Sequence, residues 1–402
     1  MSEWLLRQTQ YGDVRICDDR ITEVSSHSVI GDAQIIDCEG CALFPGQVNA
    51  HTHLYSGLAP LGMPAPTVAP QNFVQILERI WWRLDRALDA DSLRAAARYY
   101  ISSALLMGTT TLVDHHESPA LIAGSLDILA DACAELGCRA LLTYGATERN
   151  FGRREGDDGL SECRRFIVTN QRPFVRGLVG LHASFTVSDE TILAAGQLCR
   201  ELGTVMHVHV AEDLADVEDA KKRGYRDPLD RLLRLAALPP GSIVAHGVHL
   251  DADSVRRCQD EGLWLVQNPR SNFGNRVGYP HALSCSARVA LGTDGYPANM
   301  AEEEAALWTR AKQFGETDSV ISQRAQSGHI LVAERFALPA FAIAVGSPAD
   351  LVVRDPSGQV RHVFCAGKLV VRDGTLVTAD RQEIEHDAQQ KAFHLWNRMT
   401  AL

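Results

Sequence analysis

The 402-residue sequence predicts an α/β protein: a (β/α)8, TIM-type barrel with a small β-sandwich domain built from both chain ends. Three observations predict it. Eight short apolar strands alternate with helix-like stretches through the body of the chain. Nearly every one of those strands ends in a residue with chemical potential. Sequence with the rhythm of β-hairpins occurs near both termini.

The chain begins with that hairpin rhythm. "DVRICDDRITEV" alternates apolar and polar residues on either side of Asp18 and Asp19. "ADLVVRD", "VRHVFCAG" and "KLVVRDGTLV" repeat the pattern near the C-terminus. Neither group is large enough for a core of its own, so the two ends are expected to pair. This gives a discontinuous β domain at 1–45 plus 346–390, a barrel at 46–345 and a C-terminal tail at 391–402. Within the barrel, "NFVQILERIWWRLDRAL" keeps Phe73, Leu77, Ile80, Leu84 and Leu88 on one helical face. Trp81 and Trp82 are adjacent and cannot both enter that core. One of them is expected against a loop near the site or against another subunit.

After the opening strand come "TTTLVDH", "RALLTYG", "RGLVGLH", "TVMHVHV", "SIVAHG", "LWLVQN" and "RVALGTD". An open doubly wound sheet would not need eight such units, and no G-x-G-x-x-G follows the first strand. The strand ends carry His51 and His53, Asp114 with His115 and His116, His182, His209, His246, Asn268 and Asp294. A barrel gathers its C-terminal strand ends on one face, so these residues should converge.

Composition narrows the function. Hydrophobic residues make up 46% and charged residues 22% of the chain, with a formal charge of −11 and no basic run. Nucleic acid and anionic membrane are therefore excluded as general partners. There is no signal-peptide succession and no apolar run of about 18 residues, so a cytoplasmic location is expected. Among the ten cysteines, Cys133, Cys199 and Cys258 fall in helix-like stretches. Buried free thiols in a reducing compartment account for them. Cys38 and Cys41 form a C-x-x-C without a second pair, which reads as turn packing.

Residues two apart on a strand point the same way, so His51 and His53 reach toward one point. "HVHVAE" offers His207 and His209 on one face and Glu212 just beyond the strand. "GTDG" sets Asp294 between glycines that permit close approach. Three imidazoles and a carboxylate suit Zn2+ with one position open for water; Fe2+ or another divalent ion is the alternative. His209, nearer the strand end, is the expected ligand, and His207 sits one layer deeper. None of the five lysines (Lys221, Lys222, Lys312, Lys368 and Lys391) lies on a barrel strand. A lysine bridge between two ions is thus excluded, and one ion per subunit is expected, with His115 or His116 the only candidates for a weak second one.

"NAHTH", "HVHVAE", "AHGVHL" and "LGTDG" together resemble the amidohydrolase superfamily, in its aminohydrolase branch. Within it, "HTHLYSGL", "WWRLDRAL", "TTTLVDHHESP", "HASFTVSD" and "NPRSNFGNRVGY" are similar to the SsnA-like aminohydrolases. The resemblance implies that His51, His53, His209 and Asp294 bind the metal, that Glu212 shuttles protons and that His246 orients or polarises. It also implies a homodimer and a small heterocyclic substrate. The sequence departs from relatives at Pro60, where an arginine is common, and between "TYGATERN" and "RGLVG", which is short.

With these parts, Asp294 takes a proton from water, Glu212 protonates a ring nitrogen and His246 stabilises charge on oxygen as ammonia leaves. Removal of an exocyclic amino group from a purine-, pterin-, pyrimidine- or triazine-like ring is the expected reaction. Hydrolysis of a cyclic amide or another leaving group is the first alternative, and a non-enzymatic metal-bearing scaffold the second. His182, His115, His116, Asn268 and Arg270 are candidate substrate contacts. Asp114 is read as orienting a ligand histidine, Asn272 as a further mouth residue, and Arg149 and Arg153 as lid contacts. The acidic run "AEEEAA" reads as a solvated helix start.

Overall fold

In the computed structural model, which describes residues 3–402, the chain opens with an antiparallel meander. Its strands are β1 (Glu3–Thr9), β2 (Gly12–Cys17) and β3 (Arg20–Ser25), and β4 (Gln34–Asp37) adds parallel to β1. Strand β5 (Ala42–Pro45) leaves this sheet and pairs instead with strands from the far end of the chain.

The barrel strands follow. They are β6 (Gln47–Thr52), β7 (Thr109–Asp114), β8 (Arg139–Leu142) continued by β9 (Gly145–Ala146), and β10 (Val175–Gly177) continued by β11 (Val179–Ala183). Next come β12 (Met206–Val210), β13 (Ile243–His246), β14 (Trp264–Gln267) and β15 (Val289–Leu291). All neighbouring pairs are parallel and in chain order. The ring closes where the amides of Thr293 and Asp294 both donate to the His51 carbonyl, at 2.9 and 3.0 Å. These are the eight segments that the sequence marks. Parallel strands covered on both faces are buried along their length, as Thr109–Asp114 is. Val48, Ala50, Val113, Leu141, Ile243, Val266 and Ala290 pack into one apolar cluster. Each precedes the polar end of its strand, so the core forms below and the chemistry stays above.

Strands β16 (Leu351–Arg354), β17 (Val360–Cys365), β18 (Lys368–Arg372) and β19 (Thr375–Leu376) complete a second sheet in the order β19-β18-β17-β16-β5. Trp4, Leu6, Val14 and Ile16 from one end share a cluster with Leu351, Val353 and Phe364 from the other. On that shared core we propose that both sheets form one discontinuous β domain. A buried ion pair, Arg139 to Asp350 at 2.9 Å, fastens it to the barrel. Asp350→Ala leaves the Arg139 guanidinium buried without its counter-charge. It is expected to lower unfolding free energy by about 3–5 kcal/mol, read as a shifted denaturant midpoint; an unchanged midpoint contradicts the role.

Two local expectations need correction. Residues 391–402 are not a tail: a single helix, Arg381–Ala401, runs through them. It is anchored by Trp396 Nε1 on the Leu61 carbonyl at 2.9 Å and by Arg398 Nε on the Ala87 carbonyl at 2.8 Å. The stretch after Asn72 is also not one regular helix. Phe73–Ile76 and Trp82–Ala87 are α-helical, but Leu77–Trp81 is a π turn. The wider turn shifts the register by a residue and brings both tryptophans onto the wall of the same cavity.

Cys38 and Cys41 lie in a turn closed by the Cys41 amide on the Cys38 carbonyl, and all ten cysteines are free. No helix is long and apolar enough to cross a membrane among the described residues.

Candidate metal centre and active site

His51 and His53 leave the end of β6, and His209 the end of β12. In each ring Nδ1 is engaged by the protein. His53 Nδ1 donates to the His115 carbonyl at 2.5 Å, and His209 Nδ1 donates to the His182 carbonyl at 2.7 Å. His51 Nδ1 pairs with His207 Nε2 at 2.9 Å, which puts His207 in the deeper layer. A carbonyl only accepts, so Nε2 of neutral His53 and His209 is bare. These two lone pairs face each other at 3.3 Å. Asp294 Oδ1 stands 2.9 Å from His53 Nε2 and 3.4 Å from His51 Nε2.

Bare acceptors crowded this closely repel unless a cation lies among them. Burial opposes a charged His53, yet the Asp294 carboxylate raises it to about 9, the pull that a metal would also feel. His51 and His209 are pushed down by burial and stay neutral. The donor set thus fits a divalent ion of zinc's preferences, each imidazole fixed through its second nitrogen.

The backbone aims these groups. Ala211, His246 and Asp294 have φ of 50°, 75° and 55°, strained values for residues with side chains, and they turn the strand ends toward the centre. Gly292 allows β15 to approach: a Cβ there would lie 2.6 Å from Asn268 Oδ1 and 2.7 Å from the His51 carbonyl oxygen.

His246 receives hydrogen bonds on Nδ1 from Asn272 Nδ2 at 2.9 Å and Asn268 Nδ2 at 3.3 Å. Its proton therefore sits on Nε2, which has no hydrogen-bond partner among the described residues and lies 3.5 Å from Glu212 Oε2. Burial lowers His246 to about 4, so it is a neutral donor. Glu212 is raised well above the usual carboxylate range by burial and by the neighbouring Asp294 charge. Burial also works against an ionised Asp294, but its close contacts with the His51 and His53 rings hold it well below that range. The surroundings push the two carboxyl groups in opposite directions, the division an acid and a base require. Ser271 Oγ donates to Asp294 Oδ2, and Asn275 Nδ2 reaches both Ser271 Oγ at 3.2 Å and Glu212 Oε1 at 3.3 Å.

Above the centre lies a cavity bordered by His53, His182, His209, Glu212 and Asp294 on one side and by Phe73, Trp81, Trp82 and Phe185 on another. It adjoins an open groove of about 880 Å3 lined by Met63, Pro70, Ile76 and Tyr296. The remaining expected contacts lie elsewhere. His115 and His116 are wholly buried behind the wall, with His115 Nε2 on the Leu181 carbonyl at 3.1 Å and His116 Nε2 on Ser118 Oγ at 2.7 Å. Asn268 serves His246. Arg270 is spent on Glu302, Glu303 and the Pro297 carbonyl, drawn away from the cavity by a carboxylate that is itself buried. That pairing also corrects the reading of the acidic run, because Glu303 is not solvated. Asp114 accepts the Leu54 amide at 2.6 Å and bonds no ligand histidine. Arg153 is exposed and paired with Asp157, so it is no lid contact.

Several contributors escaped the sequence reading. Arg149, expected as a lid contact, does border the cavity but as a buried wall residue, held by Asp85 at 2.9 Å and by Thr147 Oγ1 at 3.1 Å, with its guanidinium 4.8 Å from the Trp82 ring centre. Among the described residues it is the only guanidinium lining the cavity; Pro60 does not border it. Glu117 lies in the same wall. Its signal was present in "DHHESP", an acid three residues past a strand end. Ser271 and Asn275 gave no such sign.

Comparison with known proteins agrees with this architecture. The amidohydrolase family pattern matches residues 42–370. The chain is 29% identical over 391 residues to a 5'-deoxyadenosine deaminase of Methanopyrus kandleri, covering 88% of this chain and 86% of that one. It is 25% identical over 414 residues to 5-methylthioadenosine/S-adenosylhomocysteine deaminase 2 of Archaeoglobus fulgidus, covering 95% and 94%. Among solved structures, an adenosine deaminase from Xanthomonas campestris with bound zinc superimposes with a TM-score of 0.85 at 21% identity, covering 100% of this chain and 98% of that one. An atrazine chlorohydrolase from Arthrobacter aurescens complexed with zinc gives 0.79 at 20% identity, covering 94% and 95%. With its eight-stranded barrel and its convergent histidines, the chain belongs to the amidohydrolase family.

Proposed function

We propose that this protein is a metal-dependent aminohydrolase that removes an exocyclic amino group, as ammonia, from a small nitrogen heterocycle. One observation carries the reading: the Glu212 and Asp294 carboxyl groups border a single cavity, pushed in opposite directions by their surroundings, beside imidazoles whose bare nitrogens converge. His51, His53, His209 and Asp294 would hold one Zn2+ per subunit. When bound, such an ion acidifies a water molecule and so supplies the nucleophile.

The residues divide the remaining work. Glu212 gives its proton to a ring nitrogen and makes the adjacent carbon electrophilic. Asp294 accepts a proton from the attacking water as the C–O bond forms. His246 Nε2–H donates to that oxygen as charge develops on it. The proton on Asp294 then passes to the departing nitrogen, the proton left on the oxygen returns to Glu212 as the C=O bond forms, the C–N bond breaks and ammonia leaves. The Asn275–Ser271 bridge keeps the two carboxyl groups in register. Phe73, Trp81, Trp82 and Phe185 give a flat ring apolar walls and exclude bulk water.

The deaminase names of the relatives support this chemistry, and the heterocycle ring is common to them and to the atrazine enzyme. The test is ammonia release from a panel of purines, purine nucleosides, pterins, pyrimidines and triazines by zinc-loaded protein. At least one compound should be turned over with kcat near 1–10³ s⁻¹, the range of ordinary enzymes. Silence across the panel, with metal bound, defeats the proposal. With it we place the enzyme in the cytoplasm, where ten unpaired cysteines are stable. A homodimer rests on the family resemblance, and sedimentation velocity tests it.

A further inference from the structure

Glu117 has no part in the mechanism above, yet it is 2% exposed and borders the cavity. Its Oε1 lies 2.8 Å from His115 Nδ1, off the line of a good hydrogen bond but within an ion-pair contact. It cannot retreat, because a Cβ on Gly145 would already fall 2.6 Å from Oε1 and 2.4 Å from His115 Cε1. The other oxygen, Oε2, has no donor. His53 Nδ1 is 3.6 Å away and already gives its proton to the His115 carbonyl. A carboxylate in the cavity wall thus keeps an oxygen that accepts no hydrogen bond among the described residues. It stands one imidazole's width from the catalytic centre, since the opposite nitrogen of His53 meets Asp294 at 2.9 Å.

The same wall offers a complementary donor. Arg149 commits Nε to Thr147 and Nη2 to Asp85, which leaves Nη1 without a hydrogen bond among the described residues. An anchored acceptor and an anchored donor line one cavity whose other walls are aromatic. Glu212 and Asp294 border that same cavity.

We propose that Glu117 Oε2 accepts a ring N–H of the substrate while Arg149 donates to the adjoining ring carbonyl, so that the site selects aminated lactam heterocycles over rings without an N–H. This deepens the aminohydrolase reading and rests on it. A site built around a substrate N–H rejects an analogue lacking it strongly, because a buried polar group is then left unpaired.

The experiment compares isocytosine, pterin and guanine, each with its ring-N-methylated counterpart, on metal-loaded enzyme. Affinity is read by calorimetry, or as KM where a compound is turned over, and metal content is measured in parallel. At least one lactam should bind about 100-fold more tightly than its N-methyl form. Glu117→Gln should cut that preference below about 10-fold with metal content unchanged. The inference is overturned if no lactam binds, if methylation makes no difference, or if Glu117→Gln keeps the full preference. Should Glu117→Gln fail to fold, the comparison of ligands on the unaltered enzyme still decides. Ammonia release from an adenosine nucleoside at equal rates by both proteins would remove this inference and leave the aminohydrolase reading standing.

Discussion

Replacing Glu212 with glutamine is expected to leave the metal in place and lower kcat by about 10²–10⁴-fold. Glutamine keeps the size of the side chain and its contact with Asn275, but it has no acidic proton to give. Glu212 is three residues beyond His209 and makes none of the close contacts that define the metal point, so metal content should not change. KM should change far less than kcat, because the lost proton transfer belongs to the transition state. Ammonia release with the best panel substrate, alongside metal analysis, checks this. A variant that retains full turnover removes Glu212 from the mechanism.

Asp294→Ala is expected to do more damage, on two counts. On the proposed assignment it removes the anionic ligand, leaving three neutral imidazoles to hold a dication, and it removes the base. Metal affinity should fall by more than the roughly 10–100-fold seen when only a supporting partner is lost. Activity should be undetectable even with excess metal. Ser271 and the rings of His51 and His53 lose a partner together, so some loss of thermal stability is also expected. Normal metal content with normal turnover would contradict the assignment. Restoring activity with added zinc alone would reduce Asp294 to a ligand and take away its role as a base.

The eight barrel strands were legible because a parallel strand covered on both faces has to be apolar throughout, and the polar residue that ends it stands out. His51, His53, His209, His246 and Asp294 could be found for that reason. Residues that act from loops or from the next layer have no such frame. Asn275 meets Glu212 across 63 positions of chain. Nothing in the local pattern around either residue predicts the meeting. Arg270 shows the reverse error: an arginine in a mouth loop looks available until folding delivers Glu303 to it. His115 and His116 end a strand like the others, but they turn into the wall behind it. The π turn at Leu77–Trp81 was invisible because the apolar positions fit an ordinary helix almost as well.

That turn has a consequence for how the pocket tolerates change over generations. A π turn is equivalent to one residue inserted into an α-helix. Deleting a single residue there would let the segment relax to ordinary winding and rotate everything after it by about 100°. Asp85 would swing off Arg149, and the two indole rings would part company. A one-codon loss far from every histidine would then redraw what the enzyme admits while sparing the machinery of hydrolysis, which makes this short coil a natural place for lineages to diverge in diet.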